Sequence, residues 1–240
     1  MLPFIFGQKS LIHIINLDVS IKYWLEAQKF VNKIIAEGGN FLFVGTKQQA
    51  SDIIKEAAER SESFYVNNRW LGGTLSNFQT IKKSISRMNK MEEMLEKADD
   101  EKSKVKLAKK EKLSISKDLI KLESNLSGIR KMRKLPDAIF VVDINKDSIA
   151  ISEARKLHIP IIAMVDTNVN PDLVEYPIPS NDDASGAIYL FANAIADTII
   201  KGKATLKRKL QEDKVVQEKE VSNTEKIVEP EVSGSSVSVQ

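Results

Sequence analysis

The part of this chain whose residue types suggest a definite chemistry lies between residues 67 and 78. This run contains an arginine, a tryptophan and two glycines among asparagines. Its candidate RNA-binding residues are Asn67, Asn68, Arg69, Gly72, Gly73 and Asn77. A guanidinium is a planar fork of donors that fits phosphate or stacks on a base. Adjacent glycines let a backbone approach a ligand closely, because they lack Cβ and tolerate positive φ. No histidine, cysteine or carboxylate interrupts the run, so its chemistry favours holding RNA over transforming a substrate.

The same run also fits a purely structural interpretation. Trp70 and Leu71 are large and apolar, and they could belong to a core while Gly72 and Gly73 turn the chain. The spacing of one short motif does not choose between these two roles.

Positive charge is concentrated in one segment of the chain. The formal net charge is only +3, but residues 76–134 hold 17 Lys and Arg against nine Asp and Glu. A basic segment on a near-neutral body is typical of a nucleic-acid footprint, although a solvated helix face gives a similar pattern. Its candidate RNA-binding cations are Lys82, Lys83, Arg87, Arg130, Lys131 and Arg133.

Gly45, Thr46 and Lys47 follow an apolar run and suggest a phosphate loop. The segment has one glycine and lacks the second glycine of a Walker motif, so nucleotide hydrolysis is not predicted. A helix that begins here could still hold one RNA phosphate, with Lys47 as its cation. The alternative is an ordinary turn between a strand and a helix.

Four carboxylates, Asp143, Asp147, Asp166 and Asp172, follow predicted strands. Such groups could bind a metal or act as acid and base. Helix capping and turn chemistry explain them as well, and no histidine or second motif supports metal chemistry. No catalytic residue, metal or cofactor is therefore predicted, and an enzyme that uses these carboxylates stays as the alternative.

Composition narrows the classes of protein further. The chain has 240 residues and no cysteine, which excludes disulfides and thiolate metal sites. Its two histidines are too few for a three-histidine zinc site. No run reaches the roughly 18 apolar residues of a membrane span, and the start lacks the basic region of a signal peptide.

Apolar runs and helical spacing alternate along the chain. Strands are predicted at residues 11–16, 41–44, 64–66, 138–142 and 159–165. Helices are predicted at residues 21–36, 48–60, 148–157 and 182–201. This alternation indicates a three-layer α/β/α fold with a mostly parallel, flavodoxin-like sheet, formed by residues 1–76 and 133–204.

The segment 77–132 breaks this alternation. Apolar residues recur there at steps of three and four on either side of a polar stretch at 98–106, which predicts an inserted antiparallel helical hairpin, a coiled coil. A scaffold that binds proteins through this hairpin is a further alternative. Residues 205–240 lose the apolar periodicity and are predicted to be a disordered tail.

Several motifs together resemble the bacterial-type family of small-subunit ribosomal protein S2. The resemblance covers the Arg-Trp-Leu-Gly-Gly-Thr-Leu-Ser-Asn run at 69–77, and it continues in family order at 41–50, 135–143, 153–154, 159–160, 165–168, 171–172 and 177–184. Members of the family carry a segment ahead of the one that matches residues 4–7, and no contact of that segment is transferred to this chain.

The resemblance implies a structural protein of the small ribosomal subunit that binds small-subunit ribosomal RNA and is not an enzyme. It implies other small-subunit proteins as partners, ribosomal protein S1 among them, and neither a membrane nor a small-molecule substrate. The location it implies is the ribosome, in a bacterial cytoplasm or in an organellar matrix or stroma.

Overall fold

A five-stranded parallel sheet forms the centre of the molecule. The computed structural model describes residues 1–10, 12–99 and 108–227. The strands are β1 Ile5–Lys9, β2 Ile12–Ile15, β3 Phe41–Val44, β4 Phe64–Val66, β5 Ala138–Val141, β6 Ile161–Val165 and β7 Tyr176–Pro179. The helices are α1 Leu17–Ala36, α2 Gln48–Arg60, α3 Phe78–Asp99, α4 Lys109–Leu126, α5 Ser148–Lys156 and α6 Ser185–Ile227. The last five strands run parallel in the order β4-β3-β5-β6-β7, which is the flavodoxin-like order and confirms the predicted α/β class.

Each central strand is buried on both faces. In β3, Leu42 and Val44 point into one core, while Phe41 and Phe43 point into the other. The first core is closed by α3, the end of α4 and α5. The second is closed by α1, α2 and α6. Strands covered from both sides need apolar residues at every position, which is why their sequence predicted them.

Two strands were not predicted from the sequence. β7 contains Pro177 and Pro179, which cannot donate to a ladder and are tolerated because this strand lies at the edge of the sheet. β1 mixes Gly7 with polar residues, and it pairs antiparallel with β2 in a ribbon outside the main sheet. Neither strand shows the regular apolar pattern that identifies a buried strand.

The helix predicted at residues 21–36 begins earlier, at Leu17. The side chain of Asn16 accepts hydrogen bonds from the main-chain amides of Asp18 and Val19, at 3.1 and 3.5 Å. An asparagine in this position satisfies amides that have no partner within the helix, so the helix includes the turn before the predicted start.

α3 and α4 pack against each other, and their bases belong to the core of the sheet. Phe78, Ile81, Ile85 and Met88 are buried with Leu126 in the cluster that includes β3 and β5. The packing therefore makes the first turns of α3 part of the α/β core, although residue 77 was predicted as a boundary. The predicted turn lies mostly outside the described residues, and the coiled coil stays a prediction.

α6 differs from the sequence-based expectation. A helix was predicted at 182–201 with disorder from residue 205, whereas the helix continues to Ile227. Residues 203–227 contain neither glycine nor proline and are rich in lysine and glutamate, which are strong helix formers. The composition of this stretch therefore favours a helix, although its apolar periodicity fades. The rest of the predicted tail, 228–240, lies outside the described residues.

Candidate functional site

The loop between β4 and α3 is folded around a buried carboxylate from α5. Glu153 Oε1 accepts hydrogen bonds from the indole N–H of Trp70 at 3.3 Å and from the amide of Gly73 at 2.7 Å. Glu153 Oε2 accepts from the amides of Leu75 and Ser76, each at 2.9 Å, and from the Ser76 hydroxyl at 3.1 Å. Five donors of one loop thus converge on one side chain that is only 7% exposed.

These donors determine the charge state of the carboxylate. Burial raises the pKa of Glu153, but the hydrogen bonds from Ser76, Gly73, Leu75 and Trp70 outweigh burial and leave that pKa below its ordinary value. A carboxylate that accepts several amide hydrogen bonds is stabilised in its ionised form. The loop therefore surrounds an internal anion.

The sequence of the loop explains why it can adopt this shape. Gly73 has φ +91°, a left-handed conformation that side chains disfavour. The Thr74 hydroxyl donates to the carbonyl of Leu71 at 2.6 Å and closes the turn. Trp70 is 7% exposed and belongs to the core, so the packing role that the sequence allowed for it is confirmed.

Most polar candidates of the loop bind within the chain. Asn67 donates to the carbonyl and hydroxyl oxygens of Ser51, both at 3.2 Å. Asn68 donates to Asn125 Oδ1 at 3.2 Å, which ties the loop to α4. Asn77 Oδ1 accepts from the hydroxyl of Thr80 at 2.8 Å. These bonds hold the loop against α2, α4 and the start of α3.

Arg69 is different from these neighbours. Its side chain is exposed, and within the described part of the chain it makes no hydrogen bond or ion pair. Gly72 is also exposed, and a Cβ added there would meet nothing within 4 Å. The close backbone approach predicted for the two glycines therefore applies within the chain to Gly73, and Gly72 lies open at the surface.

The candidate cations on and after the helices lie mainly at the surface. Lys83, Arg87, Lys131 and Arg133 are exposed. Lys82 lies over the ring of Phe78, with Nζ 4.7 Å from its centre. Arg130 forms an ion pair with Glu92 at 2.5 Å. Two of the six candidates thus already have partners, and both remain partly accessible.

The predicted phosphate role of Lys47 does not fit its surroundings. Its ammonium lies 3.3 Å from Asp143, 2.8 Å from Asp182 and 2.5 Å from Asp183, and its side chain is only 12% exposed. Burial lowers the pKa of Lys47, but the hydrogen bonds to Asp182 and Asp183 outweigh it and raise the pKa above its ordinary value. The cation is used to neutralise carboxylates, so it is not available to a phosphate.

The strand ends, where ligands bind in this class of fold, are filled by contacts within the chain. Asp147 was predicted as a helix cap, but its carboxylate accepts from the hydroxyl of Thr46 at 2.8 Å and makes no capping bond. Asp172 lies in the predicted turn, where its amide donates to Asn170 Oδ1 at 3.1 Å. Burial raises the pKa of Asp147, against the lowering effect of its bonds to Thr46.

One group of carboxylates at this end has spacing that could suit a cation. Oxygens of Asp166, Asp182 and Asp183 lie within 4.8 Å of one another. Asp182 and Asp183 are the partners of Lys47, which supplies positive charge at that point. Lys47 therefore balances the charge of Asp182 and Asp183, while Asp166 accepts a hydrogen bond from the amide of Asp182 at 3.3 Å.

Comparison with known proteins identifies the family. The family described as Ribosomal protein S2 matches residues 1–202. The chain belongs to the ribosomal protein S2 family. The chain is 48% identical over 202 residues to the small ribosomal subunit protein uS2 of Chelativorans sp. (strain BNC1), covering 84% of this chain and 74% of that protein. It is also 48% identical over 204 residues to the uS2 protein of Solidesulfovibrio magneticus, covering 85% and 78%.

Membership of the ribosomal protein S2 family confirms the resemblance seen in the motifs. It makes the chain a structural constituent of the ribosome that serves translation, and not an enzyme. The enzyme alternative, which relied on the strand-end carboxylates, is thereby removed. Three of these carboxylates have partners within the chain: Asp143 pairs with Lys47, Asp147 accepts from Thr46, and Asp166 accepts from the amides of Thr167 and Asp182.

Sequence reasoning missed the residue that organises the loop. Glu153 was noted only as part of a motif, because its bonding partners in the loop lie far away in the sequence, from 77 residues for Ser76 to 83 residues for Trp70. Its one signal was an acidic residue among apolar positions of a short helix, between Ile151 and Ala154. Such a position indicates a buried partner, but not which one.

Proposed function

We propose that this chain is a structural constituent of the small ribosomal subunit that binds small-subunit ribosomal RNA through phosphate contacts. Its relatives are named as small ribosomal subunit proteins. The excess of positive charge in residues 76–134 supports a polyanionic partner. RNA phosphates attract exposed lysines and arginines without requiring a pocket.

The observation that carries this proposal is the position of Arg69. The loop around it is fixed by hydrogen bonds at Asn67, Asn68 and Trp70, yet its own guanidinium has no partner among the described residues. A free guanidinium on an ordered backbone is a ready donor for phosphate. Lys83, Arg87, Lys131 and Arg133 are exposed and extend the basic surface.

A salt titration tests this proposal. Binding of the full chain to small-subunit ribosomal RNA is measured across a salt series, and log K is expected to fall linearly with log salt, by roughly 0.7 to 0.9 per phosphate contact. Arg69→Ala is expected to reduce the slope by about one contact. Arg60→Ala is the matched control, because Arg60 already pairs with Asp197 at 2.5 Å. A flat salt dependence of the wild-type chain would contradict the proposal.

Co-sedimentation provides the second arm. The full chain is expected to sediment with small subunits, and Arg69→Ala is expected to reduce that fraction while Arg60→Ala does not. A wild-type chain that stays in the supernatant would contradict assembly into the subunit, even if it bound RNA in isolation.

Protein partners form the less direct part of the proposal. We infer contacts with other small-subunit proteins, ribosomal protein S1 among them, and a location on the ribosome of a bacterial cytoplasm or of an organelle. The exposed side chains of Met94, Leu113 and Ile120 on α3 and α4 support a protein contact along these helices. Within the described residues no helix is both long and apolar enough to cross a bilayer.

A further inference from the structure

We propose that Glu153 is a positioning residue for RNA binding, which takes the place of an external anion inside the loop and thereby fixes the backbone that presents Arg69. The inference rests on the proposed function, because it concerns how the chain holds the arginine that would meet RNA. Glu153 itself would not touch the RNA.

The donors around Glu153 form an anion site. Three main-chain amides, of Gly73, Leu75 and Ser76, point at one carboxylate together with an indole N–H and a hydroxyl. Main-chain amides that converge on one point are a common cradle for phosphate. In this chain a carboxylate from α5 fills the cradle, so an RNA phosphate could enter only by displacing it.

The filled cradle is connected directly to Arg69. Trp70, the next residue, is buried and held by its indole N–H at Glu153 Oε1. On the other side, Asn68 is held by Asn125 and Asn67 by Ser51. The backbone on both sides of Arg69 is therefore fixed before any ligand arrives, which reduces the ordering cost of binding.

Replacing the carboxylate by an amide tests this link. Glu153→Gln keeps the size of the side chain but has only one acceptor oxygen. Its side-chain NH2 group then faces N–H and O–H donors of the loop and cannot accept hydrogen bonds from them. Part of the loop should then move away from α5. We expect affinity for small-subunit ribosomal RNA to fall about tenfold, equivalent to ~1.4 kcal/mol, and the salt slope to fall by about one contact.

A double-mutant cycle separates positioning from general destabilisation. If Glu153 acts through Arg69, then Glu153→Gln combined with Arg69→Ala should bind no more weakly than Arg69→Ala alone. Glu175→Gln is the matched control, because Glu175 also accepts a main-chain amide hydrogen bond, from Ile161 at 2.9 Å, at a different place in the fold. It should leave both affinity and slope unchanged.

Fluorescence reports the state of the loop independently of RNA. The chain has two tryptophans, so in a Trp24→Phe background Trp70 is the only indole that emits. Glu153→Gln is expected to shift its emission, and Glu175→Gln is not. An unshifted emission in Glu153→Gln would overturn the idea that the carboxylate holds the loop.

The outcomes for RNA are equally distinct. If the wild-type chain binds RNA and Glu153→Gln binds equally well, or if the losses of Glu153→Gln and Arg69→Ala add, this inference is overturned and the proposed function stands. If the wild-type chain does not bind, the proposed function fails and the inference fails with it.

Should Glu153→Gln not fold, Ser76→Ala removes one of the five hydrogen bonds to Glu153 and changes only an exposed residue. Ser76→Ala should weaken RNA binding about threefold. The double variant Ser76→Ala with Arg69→Ala should bind RNA no more weakly than Arg69→Ala alone.

Discussion

Trp70 and Arg69 are adjacent in the chain but have opposite environments, and this predicts different consequences of truncating them. Trp70→Ala removes a buried ring and leaves Glu153 Oε1 without one of its donors, so we expect a loss of roughly 3–5 kcal/mol in the free energy of unfolding. Arg69→Ala removes an exposed side chain with no partner among the described residues, and it should change that free energy by no more than about 0.5 kcal/mol. Urea unfolding of both variants measures the difference. An Arg69→Ala chain that is as unstable as Trp70→Ala would contradict the two assignments.

Glu153 also gives a prediction for the effect of pH on stability. Its pKa is lower in the folded chain than its ordinary value. A carboxyl of this kind contributes stability that is fully present above its unfolded pKa, roughly 4.3, and that is lost as pH falls through the folded pKa. The wild-type chain should therefore exceed Glu153→Gln in unfolding free energy most clearly near pH 7, and the difference should shrink below about pH 4.

Urea unfolding of both proteins at several pH values measures that difference directly. Other carboxyls titrate in both chains, so their effects cancel in the comparison. A difference that stays constant down to about pH 3 would show that the charge of Glu153 is not what stabilises the loop.

At the scale of elements, Lys47 joins the β3–α2 connection to the end of β5 and to the segment before α6. Its partners Asp143 and Asp182 are largely buried, whereas Asp183 is exposed. Lys47→Met would leave buried carboxylates without a compensating charge, which costs roughly 3–5 kcal/mol. Lys134→Met is the control, because Lys134 pairs with Asp137 at 3.2 Å in an exposed position and should cost less than about 1 kcal/mol. Thermal unfolding of the two variants should show a clear drop for Lys47→Met only.

The central elements could be predicted from the sequence because they are buried on both sides. The runs that form β3, β5 and β6 are apolar at every position, a pattern that requires cover from two layers. β7 was missed because its prolines are tolerated only at an edge, and the position of a strand in a sheet is not a local property.

The candidate site was predicted only in part, for a similar physical reason. Arg69 was proposed from its residue type alone; the structure shows that its side chain is exposed, and its contact with RNA stays a prediction. The roles of Lys47 and Glu153 depend on partners that lie far away in the sequence, 135 residues for Lys47 with Asp182 and 83 residues for Glu153 with Trp70. Such contacts arise from the topology of the sheet, so a local pattern can indicate a buried partner, as it does for Glu153, but not which residue that partner is.

At the scale of the whole molecule, α6 has two parts with different environments. Among the residues of α6 whose burial is described, which reach Lys209 and include residue 211, the buried ones are Ile188, Ala192, Ile195, Ala196, Thr198 and Ile199. Farther along, Thr205, Lys207, Arg208 and Lys209 are exposed. From the strong helix formers in residues 210–227 we predict that this part of α6 can maintain itself without packing on the core.

Two truncations test this division. A chain that ends at Lys209 should keep its melting temperature within about 2 °C, because the packed residues of α6 remain. A larger shift would mean a loss of about 1 kcal/mol or more in the free energy of unfolding. Its far-UV circular dichroism should nevertheless lose the helical signal of residues 210–227. A chain that ends at Ile227 is the control and should keep that signal, since the described helix is intact. An equal helical signal in the two truncated chains would mean that residues 210–227 are not helical in solution. A large drop in the melting temperature of the shorter chain would mean that this part of α6 stabilises the fold.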